Sequence, residues 1–304
     1  MVTDATTRWE RLADAPTARL EVAAAVVDGL IHVAGGLDAG GGTTARVEIY
    51  DPSRNAWSAG PDLPIAIHHA MGVAWRGRFV VLGGFTDGGF SQASSRAFAL
   101  GEDGWTELPA LRRARAAGGA AVVGNRIYVV GGQGGGGLIS QVERFDGRVW
   151  RDRTPLPTPR DHLGVATDGR SIFAVGGRRL SIESAVPVLE RYEPRRDRWE
   201  RLADAPTARG GIGVGVVSGK LLVVGGEGRA GANADGVYSQ VETFSIGAQR
   251  WERLKGIEMP SPRHGVGAVT IGPTLYVAVG GPRLGGSASA TFEALVNVVS
   301  SALQ

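Results

Sequence analysis

The segment Arg8-Trp9-Glu10-Arg11-Leu12-Ala13-Asp14-Ala15-Pro16-Thr17-Ala18-Arg19 returns letter for letter as Arg198 to Arg209. Working outward from its tryptophan, a regular series stands at Trp9, Trp57, Trp105, Trp150, Trp199 and Trp251. Glycine doublets occur at 35–36, 83–84, 131–132, 176–177, 225–226 and 280–281. From each of these tryptophans to the next doublet is 26 residues in five cases and 29 in the last. A self-similar unit of this length marks a repeat architecture.

Each unit reads as four short strands. A first apolar run, such as Val22 to Val27 or Gly213 to Val217, ends in a tight turn: Asp28-Gly29, Asp168-Gly169 or Ser218-Gly219. Such pairs between apolar runs signal hairpins. A second run, such as Ile127 to Val130 or Leu221 to Val224, ends at the doublet. Glycine there permits positive φ or a close backbone approach. A third strand carries Val47-Glu48-Ile49-Tyr50, Val142-Glu143-Arg144-Phe145, Leu189-Glu190-Arg191-Tyr192, Val241-Glu242-Thr243-Phe244 and Phe292-Glu293-Ala294-Leu295. A fourth begins at the tryptophan. All-β units of four strands repeated radially make a propeller.

Composition removes other classes. The 304 residues include 48 glycines, no cysteine and 43% apolar residues, with a net charge of +3. Glycine is about twice its usual share, yet no Gly-X-Y period appears and the apolar content is too high for disorder. The lack of cysteine excludes disulfides, thiolate nucleophiles, Cys-ligated zinc and iron–sulfur clusters, and fits a reducing compartment. Met1 to Ala5 lacks the basic and apolar regions of a secretion signal. Apolar runs break within about eight residues, far short of the roughly 20 that span a bilayer. The expectation is a cytoplasmic monomer without a membrane partner. Basic residues are nearly all arginine and recur along the whole chain, so a nucleic-acid partner is not expected.

The doublets, the aromatic after Val-Glu-x, and the tryptophan nine residues beyond that Glu (seven in the third unit) resemble kelch repeats over nearly the whole chain. The resemblance implies an all-β, six-bladed kelch β-propeller with four antiparallel strands per blade, as in galactose-oxidase and sialic-acid-epimerase kelch propellers. Its blades would lie at about 18–60, 66–109, 114–156, 159–204, 208–256 and 262–298. Two departures stand out: Ser95-Arg96-Ala97-Phe98 lacks the Glu, and Leu295 replaces an aromatic. Trp9 has no doublet before it and the last doublet has no tryptophan after it. Residues 6–12 should therefore form the outer strand of the sixth blade, closing the ring and covering strand edges.

Spacing also locates candidate sites. Trp-to-doublet spacing barely changes, whereas the next interval, from doublet to Glu, runs from 12 to 17. Length variation thus falls in the loops between second and third strands, longest from Glu227 to Ser239 in blade five. These loops share a face with the blade-crossing loops, and loops on a rigid scaffold commonly carry binding.

Ten residues after the tryptophans come Arg19, Ile67, Arg115, Arg160 and Arg209, with Arg263 at twelve. Arginines at a channel mouth could clamp a carboxylate or phosphate. The other reading is scaffold, bonding nearby carbonyls.

Four of the five histidines follow directly: His68, His69, His162 and His264. Glu21, His69 and His162 share the twelve-residue register. Two imidazoles and a carboxylate suit a facial-triad metal site, acid–base groups titrating near neutrality, or simple packing. His68, Asp161 and His264 form a second set. Glu227 and Arg229 open the longest loop, and Arg178, Arg179 and Glu183 lie in the preceding blade's loop; together they could form a charged rim or simply keep the surface soluble. Gly134 to Gly137 lacks the Lys-Ser/Thr of a phosphate loop and reads as flexible, and His32 reads as structural.

The kelch resemblance implies two branches, partner-binding modules and small-molecule enzymes. Without cysteine, the Cys–Tyr copper cofactor of kelch oxidases cannot form. The six blades consume nearly the whole chain, which weighs against an adaptor with an attached domain. The expectation is a small anionic ligand at the channel mouth, acted on by an isomerase or lyase. His69, His162, Glu21 and Glu227 would be catalytic, with Arg160 or Arg209 as clamp, and a divalent metal is the one cofactor considered. The alternative is a protein- or peptide-binding scaffold with no catalytic activity, using the same face.

Overall fold

In the computed structural model, which describes residues 6–298, the repeat becomes six four-stranded antiparallel blades. Blade one is Ala23–Val27, Leu30–Ala34, Val47–Asp51 and Ala56–Ala59. Blade four is Gly164–Thr167, Ile172–Val175, Leu189–Glu193 and Arg198–Arg201. The first strands touch one another around the circle, and that of blade six meets that of blade one. Closure is by the N-terminal strand Arg8–Arg11, which pairs with Ser289–Val296 in the register Arg8↔Val296 to Arg11↔Glu293. All-β architecture with kinship to a six-bladed propeller is therefore realised as the repeat predicts.

The core is divided among the blade interfaces. Ile127 and Val129 of blade three pack toward blade two, while the alternate residues Tyr128 and Val130 pack toward blade four. The period of two along each strand thus serves two neighbours at once. Six apolar clusters result, one per interface. Each repeat tryptophan adds a polar tie. The indole of Trp57 donates to Ala13 O at 2.8 Å, that of Trp150 to Pro109 O at 2.8 Å, and that of Trp9 to Ile257 O at 3.1 Å.

The glycine doublets are explained by the neighbouring blade. A Cβ on Gly83 would lie 2.3 Å from the carbonyl oxygen of Arg115, and one on Gly35 would lie 2.3 Å from that of Ile67. The second glycine donates its amide to the same oxygen, Gly84 to Arg115 O at 2.8 Å and Gly36 to Ile67 O at 2.8 Å. Both need positive φ. The doublet is therefore the seam between blades.

Two registers differ from the sequence reading. Ala97 pairs with Leu82 as Val47 pairs with Ala34, which puts Phe98, not Arg96, in the place of the third-strand Glu. Leu100, opposite Trp105, then takes the aromatic place. In blade six, Val279 with φ 52° and Gly280 with φ 113° occupy the doublet positions, so the pair read at 280–281 is shifted by one. The loop at Gly134–Gly137 is not loose: Gln133–Gly134 and Gly137–Leu138 pair around glycines of positive φ.

Candidate functional site

Each blade's innermost strand is preceded by one residue that bends toward the propeller axis. These are Glu21, His69, Ala117, His162, Gly211 and Gly265, with φ values of 56°, 55°, 53°, 51°, 62° and 59°. Each amide donates to the carbonyl of its counterpart in the blade before. His69 N reaches Glu21 O at 2.8 Å, Ala117 N reaches His69 O at 2.9 Å, and His162 N reaches Ala117 O at 2.7 Å. Gly211, Gly265 and Glu21 complete the circle at 2.9, 2.8 and 2.7 Å. Six backbone hydrogen bonds thus form a closed ring.

Left-handed backbone suits glycine and costs a larger residue on the order of 1 kcal/mol or more. The ring nevertheless holds a glutamate and two histidines in it. Their side chains line an axial cavity of about 100 Å³ whose walls include Val22, Ala70, Leu163, Ile212 and Val266. Apolar and small residues, Ala24, Gly72, Ala120, Val165, Val214 and Ala268, line the channel beneath.

The polar contacts are continuous. His69 Nε2 lies 3.1 Å from His162 Nε2 and 3.4 Å from Glu21 Oε2. On its far side His69 Nδ1 meets His68 Nδ1 at 2.5 Å, and His68 Nε2 donates to Asp87 O at 2.7 Å. His162 Nδ1 donates to Asp161 Oδ1 at 2.5 Å, while its Nε2 accepts from Arg178 at 2.9 Å. Asp161 also accepts from Arg178 Nε at 3.3 Å and from the Leu180 amide at 2.7 Å. Arg178 bridges onward to Glu227. His264 Nδ1 stands 3.4 Å from Glu227 and 3.7 Å from Glu21, and its Nε2 is held by the carbonyls of Arg283 and Gly285.

Burial sets the titration. It pushes His69 well below the usual imidazole value despite nearby Glu21, and it lowers His68. Burial acts to raise the Glu21 carboxyl, but the imidazoles of His69, His264 and His162 outweigh it and hold the group well below the carboxylate range. For His264, burial acts downward, and the carboxylates of Glu21 and Glu227 overcome it, leaving the ring above its ordinary value. Asp161 is lowered: burial is outweighed by the hydrogen bond from His162.

All eight of Glu21, His68, His69, Asp161, His162, Arg178, Glu227 and His264 therefore belong to one connected cluster. The arginines read as an anion clamp do not. Arg19, Arg115, Arg160, Arg209 and Arg263 are at most 1% exposed and turn into their own blades. Each pairs with the third-strand glutamate: Glu48, Glu143, Glu190, Glu242 and Glu293, at 2.6–3.0 Å. Further donors are taken by carbonyls, as Arg160 Nε is by Gly176 O at 2.7 Å. The Nε of Arg19, Arg115 and Arg209 is buried without a partner among the described residues, so it is burial and the glutamate pairing that keep these guanidinium groups from the channel mouth.

Comparison with known proteins agrees with this construction. A family model described as the KLHDC2/KLHL20/DRC7 kelch-repeats domain matches residues 113–281, and one described as the kelch motif matches residues 18–64. The chain belongs to the kelch-repeat family. Kelch-like protein terF of Aspergillus terreus is 27% identical over 283 residues, covering 86% of this chain and 61% of terF. Human kelch-like protein 34 is 31% identical over 239 residues, covering 72% and 36%. Beta-scruin of Limulus polyphemus is 27% identical over 214 residues, covering 66% and 23%. The chain thus spans less than two thirds of the length of these relatives.

Two residues of this kelch propeller's mouth were not singled out by the sequence. Phe90, 48% exposed, sets its ring 5.1 Å from that of His68 and 5.2 Å from that of His69. Leu180, 50% exposed, follows the rim on the Asp161 side. Both have positive φ, 58° and 68°, and sit in loops between second and third strands. Exposed apolar residues in Gly- and Ser-rich loops leave no periodic signal. His32, by contrast, is structural as read, packed 5.5 Å from the Phe79 ring. Among the described residues no helix is long and apolar enough to cross a membrane.

Proposed function

We propose that this kelch propeller is a protein-binding scaffold that seats a peptide segment of its partner on the mouth face, over the axial cluster. The observation that carries the reading is the placement of Phe90 and Leu180. They are the large exposed hydrophobics beside the cluster, and they are joined through Phe90–His69–His162–Asp161–Leu180 contacts. An apolar anchor pair around a polar centre suits a peptide presenting hydrophobic side chains. The relatives named kelch-like protein favour the partner-binding branch of the family. With five of the expected arginines absorbed into the blades, a small anion at the mouth would meet Arg178, which is itself paired with Glu227 and Asp161.

Panning a displayed random-peptide library on the immobilised propeller tests this. Selected peptides should be enriched in apolar residues and lose at least tenfold in affinity to Phe90→Asp or Leu180→Asp. Val149→Asp, at a residue 44% exposed in a blade-three turn, should leave binding unchanged. No enrichment, or peptides indifferent to both mouth substitutions, would overturn the reading.

A further inference from the structure

We infer that Glu21, His69 and His162 form a binding site for one divalent first-row transition-metal ion on the propeller axis, independently of any partner at the mouth. A carbonyl can only accept, so the 2.7 Å contact from His68 Nε2 to Asp87 O places a hydrogen on His68 Nε2. The neutral His68 ring then accepts at Nδ1, and His69 Nδ1 is its donor at 2.5 Å. That leaves the lone pair of His69 on Nε2. The carboxylate of Asp161 likewise fixes a hydrogen on His162 Nδ1, which places the second lone pair on His162 Nε2.

Two imidazole lone pairs therefore face each other across 3.1 Å, with Glu21 Oε2 3.4 Å from the first. The Arg178 guanidinium, donating to His162 Nε2 at 2.9 Å, supplies the positive charge beside these donors, and a metal ion on the axis would take over that role. All three ligand atoms fall within 4.8 Å of one another. Zinc–nitrogen bonds of about 2.0–2.1 Å in tetrahedral geometry set neighbouring ligand atoms about 3.3 Å apart. The two separations from His69 bracket that edge, and the Glu21 carboxylate would turn toward His162 to close the third.

The supporting groups match a metal site too. Both histidines coordinate through Nε2 while an outer partner, Asp161 or His68, holds Nδ1, the usual means of fixing ligand orientation. The His₂Glu donor set suits zinc, iron, cobalt or nickel rather than magnesium or calcium, and three protein ligands leave a position open. Both His side chains are at most 3% exposed and the channel beneath is apolar, so water competes weakly. Occupancy requires Arg178 to release His162 Nε2, and its bonds to Glu227 and Asp161 give that guanidinium an alternative seat.

The test uses the full chain stripped with a chelator. Zn²⁺ competition against a chromophoric chelator should show one equivalent bound at micromolar affinity or tighter, and Co²⁺ should give a visible d–d spectrum of low coordination number. His69→Gln and His162→Gln should each weaken Zn²⁺ at least a hundredfold. Asp161→Asn should weaken it about tenfold through ligand orientation. His32→Gln, remote from the axis, should have no effect. Should the histidine variants fail to fold, Glu21→Gln and the wild-type stoichiometry with its Co²⁺ spectrum decide the matter. Absence of saturable one-to-one binding, or equal affinity in wild type and folded ligand variants, overturns the site.

Discussion

Ile67 and Phe98 hold, in blade two, the positions that Arg160 and Glu190 hold in blade four. The equivalence is fixed by backbone contacts: Ile67 O accepts from Gly36 N at 2.8 Å, as Arg160 O accepts from Gly132 N at 2.9 Å. Phe98 faces Val81 as Glu190 faces Ala174. One blade has exchanged a buried ion pair for an apolar pair, both residues at once.

That exchange predicts the outcome of a double-mutant cycle. Arg160→Ile alone strands the buried Glu190 carboxylate, with a cost of about 3–5 kcal/mol and a fall in Tm of about 5–8 °C. Arg160→Ile combined with Glu190→Phe should recover at least half of the loss, since replacing both charges removes the uncompensated one. Thermal unfolding of the three variants checks this. Additive losses would show that blade two's solution depends on its own surroundings.

The seam glycines should be far more sensitive than turn glycines of similar φ. Gly83 at 60° meets the Arg115 carbonyl, whereas a Cβ on Gly29 at 78° has nothing within 4 Å. Gly29→Ala should cost about 1 kcal/mol for the left-handed backbone alone. Gly83→Ala should cost about 3 kcal/mol or more, because the two blades must separate. Denaturant midpoints at constant m measure the difference.

Closure rests on a short strand. Deleting residues 1–12 removes the partner of Ser289–Val296 and the Trp9 indole bond to Ile257, exposing a strand edge and part of the blade-five to blade-six cluster. Trp9→Ala is the milder probe and should cost about 3–5 kcal/mol. Calorimetry of both variants should give a lower melting temperature, with the deletion the larger effect. An unchanged transition would mean that the ring closes without this strand.

The amide ring makes a prediction about strain. His69→Ala and His69→Gly both remove the imidazole, but only the second relaxes the left-handed residue. The glycine variant should be the more stable by about 0.5–1 kcal/mol despite glycine's larger unfolded-state entropy. A more stable alanine variant would show that the ring carries no strain at this position.

The register of the axial cluster was readable because a fixed count from each tryptophan placed Glu21, His69 and His162 at equivalent points of three blades. The direction of the neighbouring arginines was not. Alternation along a strand assumes extended backbone, and the residue at the Glu21 position is left-handed, so Arg19 turns into the blade while Glu21 turns to the axis. At Glu21, His69 and His162 no glycine announces that break. Phe98 was misplaced for a related reason: counting across a loop of variable length gives an uncertain register, and only the ladder to Val81 resolves it.

The sequence alone determined the number of blades, the strand order within each and the closure of the ring, because these follow from period, turn chemistry and alternation, which are local. Tertiary structure alone decided which polar groups pair with each other. Arg160 with Glu190 and His69 with His162 are separated by 30 and 93 residues, and their partnerships depend on side-chain direction and on the contact of neighbouring blades. Charge pairing at that range is a property of the assembled circle, where a buried donor must find an acceptor and a strained backbone turns three chosen side chains inward.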